Sequence, residues 1–184
     1  MLLQLIVNHP QVLPAILKGT PMYVWGILAA LIVLGMSQAR DRTASLTRIA
    51  VMPVVMTALG IWGMVGVFGN SPVFGYALLA WVASAAVMIG LIGTMQPPKG
   101  AAYDARTRSF AVQGSLVPML LILGIFLTKY VVGVETSMNP GLARDGEYTL
   151  VVGALYGMFT GVFAGRAIPL LRLAYRPSLF AAAA

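Results

Sequence analysis

Two cations interrupt the apolar runs of this chain: Lys129 in GIFLTKYVVGV and Arg166 in YGMFTGVFAGRA. A charged side chain inside an apolar span is costly, and such residues mark ion or substrate sites. Lys129 has polar company in Thr128 and Tyr130, and Tyr156 on the next apolar run falls at a matching depth. Together they read as an outward-facing pocket for a carboxylate or phosphate, with Glu135 or Glu147 neutralising the lysine when it is empty. Arg166 reads in parallel, holding the cytoplasmic helix ends together or binding a lipid phosphate. A plainer reading stands beside this one. Lys129 is about five residues, ~7.5 Å, from the outer end of its run, and Arg166 lies similarly close to the inner end of its own. Both stems can then snorkel to the nearer interface.

Other chemistry is thin. The chain has no cysteine, which excludes disulfides, thiol catalysis and thiolate metal sites. His9 is the one histidine, so a bis-imidazole haem cannot be built within one chain and a catalytic triad is disfavoured. Met52 and Met56 have a spacing suited to copper(I), and equally to ordinary core packing. No Walker-type loop, HExxH or paired intramembrane carboxylate occurs. Enzyme chemistry is disfavoured, and neither cofactor nor metal is expected.

The elements that position these residues follow from composition. Of 184 residues 59% are hydrophobic and 9% charged, where a soluble domain carries ~25% charged residues. Crossing ~30 Å of hydrocarbon takes about 20 apolar residues, and five such runs are present: Pro21–Ala39, Ile49–Phe68, Val73–Met95, Phe110–Val134 and Tyr148–Leu173. The expected fold is an all-α integral membrane protein, one five-helix domain over residues 1–176. Residues 177–184 form a tail, disordered or appended. The first twenty residues lack a basic start, and Pro10 and Pro14 interrupt them. They read as a short interfacial segment rather than a signal peptide.

Charge orients the spans. Arg40, Arg42 and Arg48 separate the first two, Lys99, Arg106 and Arg108 separate the third and fourth, and Arg172 and Arg176 stand at the end of the fifth and just beyond it. Lys18, Arg144, Glu135, Asp145 and Glu147 occupy the other side. The positive-inside rule puts the C-terminus in the cytoplasm and the N-terminus outside. The net charge of +7 then reflects topology and contact with membrane lipids. Nucleic acid is not an expected partner, because the cations are dispersed over three short segments. Phe68–Val73 (FGNSPV) is a tight turn joining two antiparallel helices. Tyr103-Asp104 and Arg108–Val112 flank a turn, as in a small β-hairpin.

Gly153, Gly157, Gly161 and Gly165 recur at every fourth position of the last span. Each is disfavoured in a helix by ~1 kcal/mol relative to Ala. Small residues let helix backbones approach closely in lipid, and positions four apart drift only ~40° around the axis. The second span offers Gly60, Gly63, Gly66 and Gly69 as a partner; the third offers Ala80 with Ser84 and Ala86 with Gly90. The groove serves either internal packing or a homo-oligomer seam.

GIFLTKYVVGV and YGMFTGVFAGRA, with WGILAALIVLGMSQARDRTASLTRIAVMPVVMTALGIWG and AAYDARTRSF, resemble a family of small bacterial inner-membrane proteins catalogued as a domain of unknown function. The resemblance covers residues 20–172. It implies a multi-pass inner-membrane location and supplies no activity or ligand. Two functions fit the residues. One is a non-enzymatic membrane component packing through its glycine faces into an oligomer or beside a membrane-protein partner. The other is a carrier of a small solute or lipid, with its site at Lys129.

Overall fold

In hydrocarbon a run of apolar residues must pair its own backbone amides, and the helix does so within one segment. The computed structural model describes residues 12–38, 42–98, 100–112 and 114–175. A short helix, α1 (Val12–Gly19), is followed by α2 (Met22–Gln38), α3 (Leu46–Phe68), α4 (Phe74–Gly93), α5 (Val117–Met138) and α6 (Gly146–Tyr175). Strands β1 (Arg42–Ser45), β2 (Ala102–Asp104) and β3 (Ser109–Val112) and a 3-10 turn at Pro140–Arg144 complete the chain. Helices α3 to α6 are long and apolar enough to cross a membrane. With 17 residues, α2 spans ~25 Å, at the lower limit for crossing ~30 Å of hydrocarbon, so among the described residues four helices fully reach the length that five runs were expected to reach. His9, Arg40, Lys99, Arg176 and the tail at 177–184 lie outside the described residues.

Four of the five runs begin and end within a helical turn of expectation. The exception is α5, which starts at Val117 rather than Phe110. Phe110 is a strand residue, fully buried, with its ring 4.8 Å from that of Tyr103. The expected hairpin is present, Tyr103 pairing with Phe110. In its turn the Asp104 carboxylate accepts from the Arg106 amide (2.8 Å) and the Thr107 hydroxyl (2.9 Å). Those bonds, the Arg106 amide foremost, hold its pKa below the ordinary value.

An unexpected third strand, β1, pairs antiparallel with β3, from Arg42 opposite Val112 to Ser45 opposite Ser109, giving the order β1-β3-β2. Ser45 also caps α3 by accepting from the Arg48 amide (3.3 Å). Pairing puts the α2–α3 and α4–α5 connections at one end of the bundle, here the sheet end.

The central helix is α6: 44% of its apolar window is buried, against 11% in each of α3, α4 and α5. Its glycines face α4. A Cβ on Gly153 would lie 2.5 Å from the Ala77 carbonyl oxygen, and one on Gly161 would lie 2.6 Å from that of Ala85. On Gly157 it would run into the Trp81 carbonyl and the Ser84 hydroxyl, and on Gly165 it would sit 2.9 Å from Ile92 Cβ. The glycines of α3 are not the partner. Steps of three spread Gly60, Gly63 and Gly66 around that helix, whereas Ala77, Trp81 and Ala85 form a straight ridge with the same four-residue step as the groove. Ala86 and Gly90 point outward.

Met64 and Phe68 of α3, Ala77 of α4, Val132 of α5 and Val152 and Tyr156 of α6 form the core, toward the end away from the sheet. Helix α2 packs on α5, where Met119 fills the space that Gly35 leaves open. Trp62, Leu79 and Leu127 stand exposed on the periphery, apolar toward the surroundings as lipid requires.

Candidate functional site

Because α5 runs on to Met138, about nine residues, or ~13.5 Å of helix, separate Lys129 from its end. The residue therefore lies further from the end of its helix than the limit of the apolar run implied. Its stem crosses the bundle instead of climbing to the interface. The ammonium Nζ lies 5.5 Å from the centre of the Tyr156 ring, inside the range of a cation–π contact. It occupies the space where a Cβ on Gly63 would stand, with Cε 3.3 Å from that point.

Tyr130, the next residue, is committed elsewhere. The Thr20 hydroxyl donates to the Ile16 carbonyl (2.8 Å), so in the 2.7 Å contact between Tyr130 and Thr20 the phenol donates. This bond ties the exit of α1 to α5. Glu135 lies about 240° around α5 from Lys129. Buried, it lines a different groove with Asp145, Glu147 and Tyr148. The two expected counterions thus share a groove whose lining does not include the lysine. Lys129 and Tyr156 are brought together; Glu135 and Arg166 stand apart from them.

Lys129 borders two cavities. A middle one of about 300 Å³ lies between α2, α3, α5 and α6, and a vestibule of about 750 Å³ lies between α1, α2 and α5. Ile27, Phe126 and Lys129 line both, and among the described residues neither lining contains an acidic one. In the middle cavity the Thr160 hydroxyl already donates to the Tyr156 carbonyl (2.9 Å). That leaves the ammonium as the strongest hydrogen-bond donor of an otherwise apolar room. Arg166, half-buried, lines a third cavity of about 230 Å³ at the sheet end. Met52 borders that third cavity and Met56 the middle one. The residues not read as part of the site from the sequence are Gly63, Ile27, Phe126 and Phe163. Gly63 was visible only as a small residue; its role as a seat for Nζ depends on where two other helices pass.

An ammonium against an aromatic face, with three N–H donors and an apolar room beside it, can hold one anionic group. Apolar helices of spanning length, apolar faces turned outward and a cation enclosed between helices define a mostly helical, membrane-embedded protein. The chain belongs to the Family of unknown function (DUF6622), whose profile matches residues 1–179. No curated protein and no solved structure matches it.

Proposed function

We propose that this protein is a non-enzymatic component of the bacterial inner membrane that binds and carries a small amphiphilic acid, with the acid's carboxylate on Lys129. The observation behind this reading is a lysine set between an apolar cavity and a vestibule, neither lined by an acidic residue among those described. A charge in that position is costly without a counterion, and a bound anion supplies one. One ammonium balances one carboxylate, whereas a doubly charged phosphate would stay under-neutralised. A tail gains little by leaving lipid for an apolar cavity, so selectivity rests on the headgroup. The rival reading, an oligomer sealed by glycine faces, has weaker support, since the glycine face of α6 is already occupied by α4 within the chain.

Decanoate tests the site. The wild type should bind it in detergent, with decanol (no charge) and inorganic phosphate (no tail) binding far more weakly. Lys129→Met should lower decanoate affinity between about 10- and 100-fold, the worth of a hydrogen bond to a charged group. Lys129→Arg should fail to restore it, because a planar guanidinium is broader than the slot over Gly63. Undiminished binding in the methionine variant would overturn the proposal.

The orientation belongs to the same reading: α2 crosses as the first of five spans, the vestibule opens outside and the sheet lies in the cytoplasm. A reporter at the C-terminus should register inside and one in the 135–147 segment outside. Finding both on one side would remove the five-span arrangement.

A further inference from the structure

We infer that the sheet-end cavity is a second station for the same acid, held by Arg166 and in line with the first. This rests on the reading of Lys129 as a carboxylate site and adds to it a route along the bundle. Its carrier is the geometry of α6. Tyr156, under the Lys129 ammonium, and Arg166 are separated by about ten residues, or ~15 Å of helix. Phe163 lies between them and lines both the middle cavity and the sheet-end one. One aromatic side chain is therefore the wall the two rooms share.

The sheet-end cavity is chemically unlike the middle one. Gln96 and Ser115 join Arg166 in its lining, again with no acidic residue among the described residues. The Ser115 hydroxyl accepts from the Val117 amide (3.2 Å), which leaves its proton free to donate. Arg166 adds its fork of guanidinium donors, a geometry matched to a carboxylate. Pro53 of α3 and Pro169 of α6 also line the cavity. Each removes a backbone donor, so one hydrogen bond is missing from each helix next to the shared wall. Proline is where helices bend most readily, and a bend at these turns would let Phe163 yield to a passing chain.

Native mass spectrometry of the detergent-released full chain with added decanoate reads the number of stations directly. Two decanoate adducts are expected for the wild type, and one each for Arg166→Gln and Lys129→Met. Leu121→Trp fills the sheet-end cavity from α5 without touching a charge and should also leave one. Two adducts surviving in both Arg166→Gln and Leu121→Trp would overturn the second station while leaving Lys129 untouched. Two adducts surviving in Lys129→Met, with one lost in Arg166→Gln, would instead remove the first site. A phospholipid mass that disappears with Arg166→Gln would show a lipid headgroup in the cavity, and would overturn the route.

Discussion

Gly157→Leu should cost about 3 kcal/mol, the upper part of the range for overpacking a well-packed interior, seen as a lower unfolding temperature in detergent. The reason is what the new side chain would meet. Even its Cβ would run into the Trp81 carbonyl and the Ser84 hydroxyl, and a backbone carbonyl cannot rotate away. Relief requires α4 to move off α6 along its length, which also loosens Gly153 from Ala77 and Gly161 from Ala85. Gly66→Leu is the matched control, because nothing lies within 4 Å of a Cβ there and that position is exposed. It should leave the unfolding temperature nearly unchanged. Equal losses in the two variants would mean that the α4–α6 groove carries no special share of the stability.

Gly63→Ala should separate binding from folding. The atom its Cβ displaces is Lys129 Nζ, the free end of a flexible chain, so the fold accommodates the change. Alanine is the better helix former by ~1 kcal/mol, so stability should hold or rise slightly. The ammonium, however, loses its seat over Tyr156 and must swing toward the vestibule. Decanoate affinity should then fall about tenfold, equivalent to ~1.4 kcal/mol, with Lys129 itself intact. Unchanged affinity would show that the seat between Gly63 and Tyr156 does not position the acid.

What could be read beforehand, and what could not, divides along physical lines. The groove of α6 was legible because four glycines in step have no other use inside a helix. Its partner was not, since Ala77 and Ala85 are unremarkable in a chain so rich in small apolar residues. Phe110, Ala111 and Val112 were misplaced because apolarity alone does not separate a buried strand from the start of a span. The β2–β3 turn was legible from local chemistry around Asp104, while β1, the polar stretch RTAS, has no alternation to announce it. Lys129 stood out as a charge among apolar residues. Its distance from the helix end depended on α5 continuing through Glu135 to Met138, a polar stretch beyond the apolar run. Glu135 was read beside Lys129 from closeness in sequence, whereas six residues along a helix lead to another face, and it lines a different groove.

The pairing of β1 with β3 also sets an order in time. Arg42 and Val112 are neighbours in the sheet, yet about 70 residues of chain separate them, roughly 4 to 14 s of synthesis at ordinary elongation rates. During that interval β1 is an unpaired strand beside the membrane, with α3 and α4 already made. Its polar character suits the wait, because an apolar strand left open would invite pairing with other chains. The sheet therefore closes late in assembly, and its closing fixes the sheet-end connections of helices that entered the membrane at different moments.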